Sequence, residues 1–470
     1  MAFYGMRMRA AAGLLIITNH ALAISAFQEV TKEFGLEGLS GGVASCIDFN
    51  NDGWTDLFVD GQLWKNEEGK TFSRVEGAPG GSGVWADFDR DGFLDFFSFG
   101  GTLFRNERAK SFSLVEHAIP ELPTKVCLGA TPGDFDGDGD LDLYVGGYEV
   151  WQKALYPDVI LSNKGDGTFE QTWQSKFTKP ARGITAADYD EDGDLDLYVS
   201  NYRLVANLLW QNDGRGTFAD VAGPSGTAGD GGLGAWGHTI GSAWGDFDND
   251  GSLDLFVGNF SHPPAYQDRP KFLRNRGPEG QFQFEDQSAG AGLPWQESYA
   301  SPALADFDND GLLDLFFTTV YPGNKSVLYR NTGGWKFVEA TTEARIDTEK
   351  TYQAAWADFD GDGYLDLVSG ARLFRNPGGK NHWLRVQVRG SKSVPALGAQ
   401  VRIKLDGKTL VRQVEGSTGQ GNQNDPNLHF GLGPHRGPVT LEIRWADGRR
   451  QRMTANSNQM VTLRYSSKGG

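Results

Sequence analysis

A nine-residue loop that recurs seven times leaves this chain few ways to fold. Its clearest copy is Asp134-Phe135-Asp136-Gly137-Asp138-Gly139-Asp140-Leu141-Asp142, with oxygen donors at positions 1, 3, 5 and 9 and glycine at position 6. Copies begin at Asp48, Asp87, Asp134, Asp188, Asp246, Asp306 and Asp358, and position 6 is Gly53, Gly92, Gly139, Gly193, Gly251, Gly311 and Gly363 in turn. Hard cations such as Ca²⁺ take roughly six to eight oxygens in a forgiving geometry. Odd-numbered side chains converge on one point if the loop turns sharply, and glycine supplies the turn by tolerating positive φ. The carbonyl of residue 7 and water would complete the shell. The apolar run Leu143-Tyr144-Val145 follows at once, so the loop joins two strands.

The expected ligand sets are Asp48, Asn50, Asp52 and Asp56; Asp87, Asp89, Asp91 and Asp95; Asp134, Asp136, Asp138 and Asp142; and Asp188, Asp190, Asp192 and Asp196. Three more follow: Asp246, Asp248, Asp250 and Asp254; Asp306, Asp308, Asp310 and Asp314; and Asp358, Asp360, Asp362 and Asp366. Asn50 makes the first set the weakest. Between loops an L-x-x-N turn repeats, as at Leu103 to Asn106 and Leu209 to Asn212, often followed by a Gly-x-Gly hairpin such as 165–169. Apolar runs flanking such turns are hairpin signals. Each unit reads as four short antiparallel strands, and periods of about 50 residues indicate propellers or solenoids.

With 470 residues the chain exceeds one ordinary core. Residues 1–23 read as a secretory signal: Arg7 and Arg9, the apolar run 10–17, then Ala21-Leu22-Ala23 as a cleavage site. That run is shorter than the roughly 20 residues that span a bilayer, and no other span is expected. The segment 27–36 resembles those that close the other units, such as Phe218-Ala219-Asp220-Val221, and the seventh unit lacks one. The N-terminal strand is therefore expected to complete the last blade, which closes a ring and removes an open edge. The fold expected is all-β: a seven-bladed β-propeller over 27–380, then a small antiparallel β-domain over 381–466.

Small residues precede the loops, as in Gly183-Ile184-Thr185-Ala186 and Gly241-Ser242-Ala243, and fit an inner strand at a crowded axis. Trp85, Trp244 and Trp356 each stand two places before a loop. They read either as ligand contacts or as packing between blades; large aromatics dominate cores, which favours packing. The excursions 221–241, with Trp236 and His238, and 259–271, with His262, Pro263, Pro264 and Tyr266, read either as a binding rim or as tolerated insertions.

After residue 381 the acidic loops stop and strands alternate. Residues 381–470 hold 14 Lys+Arg against 5 Asp+Glu, a charge of +9, while the preceding 380 carry −26. The asymmetry marks separate domains, and so acidic a propeller argues against nucleic acid as a partner.

The repeated D-F-D-x-D-G-x-x-D-L followed by L-x-x-N resembles the FG-GAP/VCBS repeats, whose loops bind Ca²⁺ in integrin-type propellers. Gly398-Ala399-Gln400-Val401, Gly416-Ser417-Thr418-Gly419, Leu428-His429-Phe430-Gly431-Leu432-Gly433 and Ile443-Arg444-Trp445-Ala446-Asp447-Gly448 resemble the ASPIC/UnbV domain. Ala446 stands where that family usually has proline. Repeats and tail together are similar to the cartilage-acidic-protein-like family. The resemblance implies calcium binding and an extracellular location, and stops short of naming a ligand.

No G-x-S-x-G elbow or H-E-x-x-H occurs. Cys46 and Cys127 stand at different offsets from their loops, which argues against a disulfide. Two readings stay open. One is a secreted Ca²⁺-binding adhesion or recognition module for an extracellular protein or glycan. The other is an exported Ca²⁺-dependent enzyme, cyclase- or hydrolase-like, taking a small-molecule substrate at the propeller mouth, where Lys125, Arg182, Tyr299 and Tyr352 fall near the starts of inner strands.

Overall fold

The structure, a computed structural model, describes residues 25–231, 236–262 and 268–467. The expected signal segment 1–23 lies outside the described residues, as do Pro263, Pro264 and Tyr266.

Among the described residues seven four-stranded sheets, here called blades one to seven, form a propeller-like array. Blade three shows the plan, with Ala130–Gly133, Asp142–Val145, Val159–Asn163 and Phe169–Gln174 pairing in that order, all antiparallel. The nine-residue loop always joins the first strand to the second, and its position 9 opens the second strand. Alternate residues of a strand point to opposite faces, and here both faces pack on neighbouring blades. Second strands such as Asp254–Phe260 are consequently buried along their whole length. Blade seven consists of Ala355–Ala357, Asp366–Ser369 and Arg372–Arg375, and its fourth strand is Gln28–Glu29, with Gln28 opposite Arg375.

The L-x-x-N asparagine stitches blade to blade. Asn163 Nδ2 donates to the Phe88 carbonyl of the preceding blade at 2.7 Å and to the Leu141 carbonyl of its own at 3.1 Å. Asn106, Asn212, Asn275, Asn331 and Asn376 repeat the bond, to Phe49, Phe135, Tyr189, Phe247 and Phe307. Asn66 of blade one donates to Phe359 of blade seven at 2.9 Å, so the stitching runs in a circle. Aromatic rings fill the seams. Trp85 lies 5.1 Å from Phe58, Trp244 6.4 Å from Tyr198 and Trp356 6.3 Å from Phe316, each pair spanning two blades. All three tryptophans are buried, and they pack where an inter-blade core requires them.

The tail has its own core, including Leu384, Val401, Ile403, Phe430, Leu441 and Trp445, between two sheets. Lys408–Gln413, Gln400–Leu405, Val439–Arg444 and Arg450–Ala455 form an antiparallel sheet in that order. In the other, Leu428–Gly433 and Gln459–Arg464 flank His382–Arg389. One pairing departs from the expected antiparallel plan, because Leu384 faces Gln459 in a parallel pair. The last strand crosses to the other sheet instead of folding back on its neighbour, and parallel pairs need such a crossover. No helix among the described residues is long and apolar enough to cross a membrane.

Candidate functional site

Each acidic loop is built the same way. The position 6 glycines have φ between +86° and +108°, a conformation that carries little penalty only without a Cβ. Position 4 is left-handed too, at Asn51, Arg90, Gly137, Glu191, Asn249, Asn309 and Gly361. These two residues fold the loop back so that its odd side chains face inward. In loop three, Gly139 N–H donates to Asp134 Oδ2 at 3.0 Å and Asp140 N–H to Asp138 Oδ1 at 2.8 Å. Position 9 locks the loop to its blade: Asp142 accepts from Phe135 N–H at 3.0 Å and from Asn163 N–H at 2.9 Å.

The carboxylates converge. Oxygens of Asp87, Asp89 and Asp95 lie within 4.8 Å of one another, as do those of Asp134, Asp136 and Asp142 and of Asp306, Asp308 and Asp314. Asp188, Asp190 and Asp192, and Asp246, Asp248 and Asp250, converge likewise. Burial pushes Asp87 up to about 6, Asp134 and Asp188 to about 7, and Asp56, Asp95 and Asp142 to about 8, with neighbouring aspartates pushing the same way. Asp188 Oδ1, Asp306 Oδ1 and Asp358 Oδ1 are buried with no hydrogen-bond partner. A buried, unpaired carboxylate oxygen is costly unless a cation meets it. These all-oxygen clusters fit a hard divalent cation of the Ca²⁺ type.

The chain supplies part of the counter-charge itself. The residue before the stitching asparagine reaches position 3: Arg105 to Asp89 at 2.8 Å, Arg274 to Asp248 at 2.9 Å, Arg330 to Asp308 at 2.6 Å and Arg375 to Asp360 at 2.7 Å. In loop one, Asn50 bonds to Asp52 at both ends of its amide, as donor at 3.0 Å and as acceptor at 2.9 Å. Loop three has no such arginine at Asp136, and among the described residues the arginine it does meet, Arg90, pairs with Asp140 at 2.7 Å.

The basic tail docks on this acidic face. Arg444 pairs with Asp188 of loop four at 2.5 Å, and Arg385 bridges Asp358 of loop seven at 2.8 Å and the tail's own Asp425 at 2.5 Å. Arg412 is buried facing Asp306 and Asp246 of loops six and five. Gly431 N–H donates to Asp306 Oδ2 at 3.1 Å, and a Cβ at Gly431 would fall 2.1 Å from that oxygen. His429 sits buried against Asn309.

Between its third and fourth strands the tail sends residues 416–424 into the propeller axis. Ser417 Oγ donates to Ile184 O at 2.6 Å, Gly419 N–H to Ser242 O at 2.8 Å, and Gln420 N–H to Ser301 Oγ at 3.0 Å. Asn422 Nδ2 donates to Tyr352 O at 2.9 Å, and Gln423 pairs with Ala44, Cys46 and Trp85. Inner strands of blades one, two and four to seven thus bond to one plug, and Gly416 packs on Pro132 of blade three. The small inner-strand residues now have a direct cause. A Cβ at Gly183 would lie 2.3 Å from Gly419 O, and one at Gly241 2.5 Å from Gly419 C.

At the other end of the inner strands, Arg182 and Tyr352 come together. The Arg182 guanidinium lies 5.0 Å from the Tyr202 ring, 5.1 Å from Tyr352 and 5.9 Å from Tyr148. His238 is 4.5 Å from Tyr202, and His262 Nδ1 is 2.8 Å from Glu297 Oε1. Lys125 stays apart, half-exposed and 3.3 Å from Glu121. Tyr299 is buried, its hydroxyl 2.6 Å from that of Tyr329. Cys46 and Cys127 are both free thiols.

Residues 390–469 match the ASPIC and UnbV family, and 87–145, 153–199, 246–317 and 306–369 match the FG-GAP-like repeat. Cartilage acidic protein 1 of Xenopus tropicalis is 30% identical over 344 residues, covering 67% of this chain and 51% of that protein. The Mus musculus protein of that name is 29% identical, covering 70% and 53%, and the Homo sapiens one 29% identical, covering 77% and 57%. The chain thus spans about half the length of the curated relatives it matches.

Proposed function

Because the chain is an FG-GAP repeat protein that carries an ASPIC and UnbV domain and is related to cartilage acidic protein 1, we propose that it is an exported Ca²⁺-binding recognition module. In this reading residues 1–23 direct export, 27–380 form the propeller and 381–466 the docked tail. The ligands are the carboxylates at loop positions 1, 3, 5 and 9, with Asn50 replacing one of them in the first loop. Bound Ca²⁺ would neutralise these clusters and hold each loop in its turn. The chain's own part is to gather the oxygens, position them through the position 6 and position 9 hydrogen bonds, and cover them with the tail.

The observation that carries the calcium reading is the set of buried, partnerless oxygens on Asp188, Asp306 and Asp358. With loops four to seven covered by the tail and the axis plugged, recognition falls to the opposite end. There Arg182 sits among tyrosines, Arg203 stacks 3.8 Å over Trp151, and Trp151, Trp295 and Tyr321 are 57%, 43% and 39% exposed. Exposed aromatics beside arginine are the residues that dominate recognition surfaces. The His262–Glu297 pair, with the His262 ring 5.6 Å from that of His238, favours a second reading, an exported Ca²⁺-dependent enzyme at this mouth. A panel of extracellular glycans and proteins, probed with the full chain in Ca²⁺, tests both. Binding that falls about tenfold or more in Arg182→Ala with Tyr352→Ala supports recognition at the mouth. Binding untouched by that pair overturns it, and turnover of a bound probe selects the enzyme.

A further inference from the structure

The tail does not close evenly over the loops. It seats directly on loops four to seven but meets loops one and two only at their edges, where Arg389 donates to Asn51 Oδ1 at 3.4 Å, Thr55 to Asp425 at 3.0 Å and Arg90 to the Lys392 carbonyl at 3.0 Å, leaving a cavity of about 530 Å³ between the domains. Asp48 and Asp87 line it. Both hold loop position 1, where Asp188 and Asp358 carry arginines, yet among the described residues neither has an arginine within 4 Å. On the tail side Arg389, Lys392 and Arg464 line the cavity. Among the described residues no carboxylate lies within 4 Å of these three, whereas Arg385, Arg402 and Arg444 each have one. The floor is apolar, made by Trp85, Leu94, Leu141, Val388 and Leu397. Glu415 also lines it; enclosed in the protein, it keeps accessible surface toward the cavity, and burial pushes its carboxyl up to about 7.

We propose that this interdomain cavity binds a small organic anion with an apolar body, its anionic group held by Arg389, Lys392 and Arg464 and its body lying on Trp85, Leu141 and Leu397. The volume is that of a small-molecule site, and domain interfaces are where such sites form. Three cations with no carboxylate partner among the described residues, beside an apolar floor, match an amphiphilic anion better than a sugar, which would need paired polar groups throughout. Glu415, protonated in the lower part of the physiological range, adds a hydrogen-bond donor without adding negative charge. The assignment is independent of the mouth beside Arg182, which lies at the other end of the axis.

The test uses 8-anilinonaphthalene-1-sulfonate as probe and the full chain in Ca²⁺, with calorimetry for stoichiometry. The expected result is one saturable site per chain, weakened about tenfold or more in Arg389→Gln with Arg464→Gln. N-phenyl-1-naphthylamine, the same body without the sulfonate, is expected to bind about tenfold more weakly than the sulfonate. Ala396→Trp, which fills the cavity from its wall, should abolish binding while the unfolding temperature holds; if that variant does not fold, the charge pair decides alone. No saturable site, equal affinity for the uncharged body, or binding unmoved in the charge variants would overturn the proposal.

Discussion

Replacing Arg385 with methionine tests whether the tail is clamped through the loops. The guanidinium lies between two carboxylates, and the three side chains are only 8%, 0% and 3% exposed for Arg385, Asp358 and Asp425. Arg385→Met keeps most of the volume and removes the charge. Asp358 Oδ2 is then left with the Gly363 N–H, and Asp425 Oδ2 with the Thr55 hydroxyl. Breaking a buried pair from one side costs about 3–5 kcal/mol, because an uncompensated charge stays behind. An exposed pair would cost about 1 kcal/mol or less. Urea denaturation followed by tryptophan fluorescence reads the difference, since the Trp356 carbonyl accepts from Asp425 N–H beside the pair. The loss should be largest in EGTA and smaller in Ca²⁺, where a loop ion would offset part of the Asp358 charge. Asp425→Asn added to Arg385→Met should recover part of it. A loss below about 1 kcal/mol in EGTA would refute the clamp.

Two further outcomes follow from the plug and the cavity wall. Gly183→Ala places a Cβ 2.3 Å from Gly419 O and should cost about 1–3 kcal/mol in denaturant titration. Gly223→Ala, with nothing within 4 Å, should stay within about 0.5 kcal/mol. Glu415, raised from 4.5 to about 7 by burial, binds its proton more tightly folded than unfolded. Its contribution is therefore complete below pH 4.5 and is lost as pH rises through about 7, at most about 3 kcal/mol. Glu415→Gln should flatten that decline, and an unchanged slope would show that Glu415 is not the group responsible.

The repeat made most of the propeller legible. Position 6 glycine forces the turn, position 9 aspartate opens the second strand, and the N-terminal strand fills the gap left in blade seven. Other parts were visible in the sequence while their cause was not. The L-x-x-N asparagine looks like a turn residue, and only the packed array shows it bonding to the preceding blade. The left-handed conformation at position 4 hides because Arg90 and Glu191 share it with asparagines and glycines. Small inner-strand residues signalled a crowded axis, but what crowds it is the tail's Gly416-Ser417-Thr418-Gly419 turn. The charge contrast of +9 against −26 marked two domains, and it equally marked two surfaces that attract. Pairing Arg385 with Asp358 or Arg444 with Asp188 joins residues far apart in the chain, and no local pattern contains that. Lys125 and Tyr299 fall near strand starts as Arg182 and Tyr352 do, yet Lys125 lies in the loop ahead of Ala130 and pairs with Glu121, and the Tyr299 hydroxyl turns inward to Tyr329, which spacing alone does not give.

Calcium in the loops is the claim on which the account turns. Metal content by elemental analysis, paired with thermal unfolding of the same chain in excess Ca²⁺ and in EGTA, tests it most directly. An ion bound only to the native state stabilises it by about 2.7 kcal/mol per site at a hundredfold excess over Kd. The account predicts about six or seven Ca²⁺ per chain and a large upward shift of the unfolding temperature in Ca²⁺. A chain with no bound calcium that unfolds at the same temperature in both buffers would contradict it.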